Sequence, residues 1–320
     1  MRAVGFDVIG GPEVLRPVEL PVPEPGPGQV LVRVAYAGVN YGEAQHRLGD
    51  FGAPDGVAVP GLEVSGEVAG LGRGVTGLAV GDPVAAYLPD GGGYAEYALA
   101  PAEFAFPLDG ISLRDGGGAA LALTTAYGVL AGAARLAPGD TVLIHAAAGG
   151  VGSAAAQIAR ALGAAAVYGT VGSAAKAEYA KRFGYDAIQL RDAFSDHLPE
   201  VDVVLDPIGG PTRLASLLLL APFGRLALYG EAARHPDLSL PLLPLWKHNR
   251  SLAGYNIGDL ARRAPATVRA HALAALSLLA SGAIRLDVTA ELPLTEARTA
   301  HESLAAGRNT GKTLLRVAAM

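Results

Sequence analysis

The segment His145-Ala146-Ala147-Ala148-Gly149-Gly150-Val151-Gly152 constrains this chain more than any other. An apolar run ending at Ala146 leads into it, and an alanine-rich helical run, Val151–Leu162, leads out. A strand, a glycine turn and a helix in that order aim free N–H groups and the positive end of a helix dipole at a phosphate. Set against G-x-G-x-x-G, the glycine slots fall on Ala147, Gly149 and Gly152. Gly149 lets the backbone approach a pyrophosphate, and Gly152 lets the helix pack closely on the strand. Ala147 in the first slot is a departure that a tight turn tolerates. A dinucleotide site is therefore expected here, with Gly149, Gly150, Val151 and Gly152 as contacts.

The surroundings fit that unit. Strands are expected at Ala165–Thr170, Val201–Asp206, Gly224–Tyr229 and Ser251–Tyr255, and helices at Ala174–Phe183 and Pro211–Ala221. Such alternation predicts a doubly wound parallel sheet, an α/β fold. Residues before about 115 read differently. Short runs such as Val30–Ala37, Glu63–Ala69 and Pro83–Leu88 are separated by turn signals such as Pro25-Gly26-Pro27-Gly28 and Gly81-Asp82, which suggests a β-barrel-like domain. A long helix over Pro265–Ser281, a helix over Thr295–Ala306 and a strand over Thr313–Val317 close the chain. Its 320 residues suit two domains.

Composition removes several function classes. The net charge of -5 leaves no basic face for nucleic acid. The absence of cysteine excludes disulfides, thiolate zinc sites and a cysteine nucleophile. The N-terminal residues show no basic-then-apolar leader, and Leu214–Ala221 is far shorter than the roughly 20 residues of a membrane span. A cytoplasmic protein with no membrane partner is the expectation.

An NAD site usually carries an acid about 20 residues past the glycine turn, for the ribose hydroxyls. Here Tyr168-Gly169-Thr170-Val171-Gly172-Ser173-Ala174-Ala175-Lys176 holds none. Ser173 and Lys176 offer a hydroxyl and a cation, which suit the 2′-phosphate of NADPH. A plainer account makes Ser173 a helix cap and Lys176 a solvated residue, and both can hold at once.

Several segments together carry a family resemblance. Val39-Asn40-Tyr41, Pro60-Gly61-Leu62-Glu63-Val64-Ser65-Gly66, Leu123-Thr124-Thr125-Ala126-Tyr127, the two phosphate segments and Gly311-Lys312 occur in one order over nearly the whole length. The chain resembles the zinc-free quinone oxidoreductases of the medium-chain dehydrogenase/reductase superfamily. The resemblance implies a GroES-like β-barrel catalytic domain from residues 1–117 and 256–320, with a Rossmann domain over 118–255. It implies a cleft where the nicotinamide meets substrate, and homodimers joined through the nucleotide domains. It also implies hydride transfer from NADPH to a quinone or other conjugated carbonyl. The alternatives are an enoyl-thioester reductase, a biosynthetic tailoring enzyme of the same fold, and a non-catalytic NADPH-binding sensor. Zinc-dependent relatives place ligands where Asn40 and Leu62 stand, so no metal is expected.

By position in the resemblance, Asn40, Tyr41 and Thr125 are candidate donors to the substrate oxygen, with Asn40 and Tyr41 catalytic. Tyr41 is either a proton donor or an aromatic plug. Thr125, Gly172, Arg191, Asn309 and Lys312 join the cofactor set. Glu43 and His46 read either as an acid–base pair or as rim charges. Trp246, Tyr255 and Asn256 are candidate pocket residues, and His145 a packing residue. Gln45 and His46 stand where the family has a tyrosine, and Leu190 where it has a tyrosine or histidine near the adenosine.

Overall fold

Glycine and proline turns cut the first third of the chain into short strands. The computed structural model describes residues 1–235, 239 and 242–317. In chain order it begins with β1 (Arg2–Gly5), β2 (Arg16–Glu19), β3 (Gln29–Val39), α1 (Tyr41–Arg47), β4 (Glu63–Leu71), β5 (Pro83–Tyr87), β6 (Tyr97–Pro101), β7 (Ala105–Pro107) and α2 (Leu113–Gly116). Next come α3 (Ala122–Tyr127), a π-helical turn over Gly128–Ala133, β8 (Thr141–Ile144), α4 (Gly150–Ala161), β9 (Ala166–Val171), α5 (Ala174–Ala180) and β10 (Ala187–Leu190). They are followed by α6 (Phe194–His197), β11 (Val201–Asp206), α7 (Gly210–Leu218), β12 (Leu220–Leu228), α8 (Leu243–Lys247), β13 (Ser251–Gly254) and α9 (Ile257–Arg263). The chain ends with α10 (Pro265–Ala280), β14 (Val288–Pro293), α11 (Ala297–Ala305) and β15 (Lys312–Arg316).

Two units emerge. One comprises Met1–Ala122, Ala264–Ala280 and Leu286–Met320, and the other Leu123–Arg263 and Ser281–Arg285. The borders fall after residues 122 and 263, against the expected 117 and 255.

In the first unit, β14-β15-β3-β4-β5-β7 form one sheet, with β6 also paired to β3. Long β3 pairs with β15, β4 and β6, so almost all of its side chains are buried. Val30, Val32, Val34, Val64, Val68, Val84 and Leu315 make the core. Among the described residues no ladder joins β14 to β7. Helix α1, which no apolar period announces, follows β3 directly through Asn40. Its start is set by the capping box of Asn40 and Glu43.

In the second unit, all six strands are parallel, in the order β10-β9-β8-β11-β12-β13. Counted within the unit this is 3-2-1-4-5-6, the doubly wound order of dinucleotide-binding sheets. Strand β12 starts at Leu220, earlier than expected, because Leu220 already pairs with Val201 of β11. Strand β10 adds to the expected set. It is only four residues long, and none of its side chains is buried.

Candidate functional site

The glycine turn lies where the sequence puts it, at the carboxyl end of β8. Gly149 is the N-cap of α4, with extended backbone. A Cβ on Gly149 would meet only the Ala146 carbonyl, at 3.3 Å. A Cβ on Gly152 would overlap that oxygen and lie 3.0 Å from the Ala147 Cα. Gly149 therefore faces space, whereas Gly152 packs the helix onto the turn. The left-handed residue of the turn is Ala146, at φ 53°. Room for Ala147 in the first slot comes from the next strand. A Cβ on Gly169 of β9 would stand 2.8 Å from that of Ala147. Gly150 and Val151 open α4, both half-buried. Thr125 is nearly buried on α3.

The ends of β9 and β10 hold a cationic group. Ser173 caps α5, its hydroxyl accepting from the Lys176 N–H at 3.4 Å. A Cβ on Gly172 would lie 3.3 Å from an Arg191 guanidinium nitrogen. The Nε of Arg191 is buried without a hydrogen-bond partner. Burial, and then the Arg191 charge, hold the Lys176 ammonium below the usual lysine range. Two like charges brought together, with one donor unsatisfied, would be relieved by an anion. Beside them Leu190 is exposed at the end of β10.

Asn40 and Lys312, assigned to different roles by sequence, meet in the first unit. The Lys312 ammonium donates to the Asn40 Oδ1 at 2.5 Å and the Val39 carbonyl at 3.2 Å, and pairs with the Glu63 carboxylate. The Asn40 amide nitrogen donates to Glu63 at 3.1 Å and to Glu43 at 3.2 Å. Glu43 also accepts from the backbone N–H of Asn40 and of Leu62, the latter at 3.0 Å. Glu63 accepts from Leu121 N–H at 2.7 Å, where α3 begins.

Three expectations change. Lys312, only 2% exposed, has three N–H groups and three acceptors, so it keeps none for a cofactor phosphate. Asn40 has both amide hydrogens committed to carboxylates, so it keeps none for a substrate oxygen. Glu43 is buried, not a rim charge; burial, only partly offset by Lys312, pushes its carboxyl up to about 7. His46 instead stands edge-on to Phe6, with ring centroids 5.4 Å apart. Tyr41 remains half-buried at the first position of α1, and Asn309 half-buried in the loop before β15.

His145 and Tyr255 are packed into the fold. His145 is fully buried between Thr170 Oγ1 at 2.6 Å and Ser216 Oγ at 2.7 Å. Ser216 gives its only hydrogen to the Thr212 carbonyl, so the imidazole carries its proton on Nε2 and accepts from Thr170 on Nδ1. Tyr255 is buried against the π-helical turn, where a Cβ on Gly128 would overlap its hydroxyl. Asn256 accepts from the Asp259 N–H in the first turn of α9, and Trp246 is 76% exposed. Sequence reasoning passes over Asp206, which is buried and accepts from Ile208 N, Gly209 N and Arg213 Nε. A carboxylate ending an apolar strand is the signal that could have found it. Among the described residues, no group of three or more His, Asp or Glu side chains could hold a metal ion, and no helix is long and apolar enough to cross a membrane.

Comparison with known proteins adds to this geometry. The family described as alcohol dehydrogenase GroES-like domain matches residues 26–110, and that described as zinc-binding dehydrogenase matches residues 150–277. The chain is 34% identical over 325 residues to a quinone oxidoreductase of Pseudomonas aeruginosa, covering 98% of this chain and 99% of the relative. It is 32% identical over 305 residues to a mycocerosic acid synthase-like polyketide synthase of Mycobacterium tuberculosis. That match covers 92% of this chain but only 14% of the length of that relative. A mycobacterial protein solved in complex with NADPH is similar at a TM-score of 0.91 and 32% identity, over 99% of this chain and 100% of the other.

Proposed function

The chain belongs to the medium-chain dehydrogenase/reductase superfamily, among the homologues of its quinone oxidoreductases, and from that premise we propose that it is a zinc-independent, NADPH-dependent reductase of quinones or other conjugated carbonyls. The observation that carries the cofactor choice is the nearness of Lys176 to Arg191, whose Nε is buried without a partner, where NAD sites place an acid. The residues fit the cofactor. Gly149, Gly150, Val151 and Gly152 would hold the pyrophosphate, and Ser173, Lys176 and Arg191 the 2′-phosphate. Gly172 gives Arg191 its room, and Thr125 and Asn309 remain candidate contacts. Bound there, NADPH supplies the hydride.

The chain's own residues then manage charge and protons. With no metal, negative charge growing on the carbonyl oxygen must meet hydrogen-bond donors. Asn40 is committed elsewhere, so Tyr41 takes the donor's role, its phenol giving a proton to the oxygen of the enolate or hydroquinone anion and regaining one from solvent. The similarity to part of a polyketide synthase supports one second reading, an enoyl-thioester reductase.

A substrate panel tests both. With NADPH, turnover of a small naphthoquinone supports the first reading, and turnover of crotonyl-CoA alone supports the second. Tight NADPH binding without turnover of either overturns both. Binding tests the cofactor: Arg191→Ala and Lys176→Ala should each weaken NADPH by about 1.5–3 kcal/mol and leave NADH little changed. Equal affinity of the unmodified protein for the two cofactors would sink the assignment.

We also propose a homodimer. Among the described residues, edge strand β13 has a neighbour on one side only, and Phe223 and Trp246 near it are each 76% exposed. An open strand edge flanked by large apolar side chains suits pairing with a second copy.

A further inference from the structure

Resting on the reduction reading, we infer that Lys312 and Glu63 are positioning residues for it. They lock the Asn40 amide, and with it the start of α1, in the orientation that presents Tyr41.

A buried ion pair is a poor way to gain stability. Desolvating two charges costs about as much as their attraction supplies, and a well-packed apolar pair of similar volume often does as well. Yet the chain makes specific room for this pair. A Cβ on Gly38 would stand 2.7 Å from the Glu63 Cγ. A Cβ on Gly118 would stand 2.7 Å from the Lys312 Cγ and 3.0 Å from its Cε. Neither glycine has the positive φ that would explain it otherwise.

The pair acts on one side chain between them. The Asn40 amide could turn over and exchange its oxygen and nitrogen. Lys312, a donor only, faces the oxygen at 2.5 Å, and two carboxylates, Glu63 and Glu43, face the nitrogen. Exchanging the amide's ends would set an amide N–H against an ammonium and a carbonyl oxygen against the Glu63 carboxylate. Only one orientation survives. Asn40 is also the N-cap of α1, and Tyr41 is the next residue. The Glu63 carboxylate further holds the Leu121 N–H at the start of α3, so the same pair fixes two helix starts. Removing the ammonium leaves Asn40 free to turn and α1 free to shift. Displacements of about 1 Å at a reacting group can cost up to a hundredfold in rate.

The test is Lys312→Met, with the charge-balanced double variant Lys312→Met/Glu63→Gln beside it. The probes are NADPH and a small naphthoquinone, and the readouts are kcat at saturating NADPH, the NADPH dissociation constant and the melting temperature. The expected result is a kcat lowered roughly tenfold to a hundredfold with NADPH affinity unchanged within about twofold. If Lys312→Met does not fold, the double variant, which leaves no unpaired buried charge, is read in the same way. It should fold and still lack kcat. An unchanged kcat in a folded variant overturns the inference. A loss confined to NADPH affinity overturns it too, because Lys312 would then be a cofactor ligand. An unmodified protein that turns over neither the naphthoquinone nor crotonyl-CoA removes the reduction reading, and this inference with it. A working unmodified protein with an unaffected variant removes the inference alone.

Discussion

Gly149 and Gly152 are three residues apart and identical in composition, yet they serve different ends. The space beside Gly149 is open but for one carbonyl, while Gly152 lies against the backbone of the turn. Gly149→Val should therefore melt near the unmodified protein but lose the melting-temperature rise that NADPH gives by mass action. Gly152→Val should lose stability itself, by about 1–3 kcal/mol for overpacking. An undiminished NADPH shift in Gly149→Val would mean that the dinucleotide binds elsewhere. Both residues are legible in the sequence, because a glycine turn between a strand and a helix is a local pattern. Lys312 is not. Its partners Asn40 and Glu63 are far away in the chain, and only the pairing of β15 with β3 and of β3 with β4 brings them together. The resemblance puts Lys312 with the cofactor, and nothing local in the sequence marks it as the buried partner of two distant side chains. Glu43 misleads for a similar reason. Nothing local marks a carboxylate as the partner of a distant backbone N–H at Leu62.

Elements show the same division between local and distant causes. The order of the parallel strands follows from alternation, since strands and helices of the right length in turn leave few topologies. Strand β10 escapes because four residues are too few to show a period, and helix α1 because its apolar periodicity is weak; α1 depends on a capping box, and β10 on the neighbouring β9. The π-helical turn after α3 is equally invisible. It requires the missing side chain of Gly128, with the Tyr255 ring in its place. Gly128→Ala should destabilise the nucleotide unit by about 1–3 kcal/mol, read as a lower denaturant midpoint at unchanged slope. A neutral result would mean that Tyr255 moves aside freely. At the sheet edge, Trp246→Glu should shift the protein toward monomer in sedimentation at micromolar concentration. A mass unaffected by that charge would remove Trp246 and its surroundings from the dimer contact.

Across the whole molecule, buried histidines and a buried carboxyl of opposite effect shape how stability depends on pH. His145 in the nucleotide unit is held down to about 4, chiefly by burial. His301 in the other unit is held down to about 3, by burial and then by Arg47. Its ring is buried beside the Tyr94 hydroxyl, 3.1 Å away. Both histidines are neutral when folded and take a proton near 6.5 when unfolded. Their contribution is present above pH 6.5 and is lost as the pH falls, by about 2 kcal/mol each at pH 5. Glu43 runs the other way. Its folded value near 7 stands above the ordinary 4.5, so its contribution is fully present below 4.5 and is lost as the pH rises through 7. Between pH 7 and pH 5 it offsets roughly 2 kcal/mol of the histidine loss. The unmodified protein should therefore lose only about half of what the two histidines alone would cost over that range. Glu43→Gln removes the offset while leaving an amide oxygen for the Leu62 N–H. Its melting temperature should fall much more steeply from pH 7 to pH 5 than that of the unmodified protein, as calorimetry on both would show. Parallel pH profiles would mean that Glu43 is ionised in the folded protein at neutral pH, with Lys312 shared between two charged carboxylates. An equally steep fall in the unmodified protein would carry the same meaning for Glu43. A flat profile in the variant would instead show that the two histidines do not stay neutral when folded.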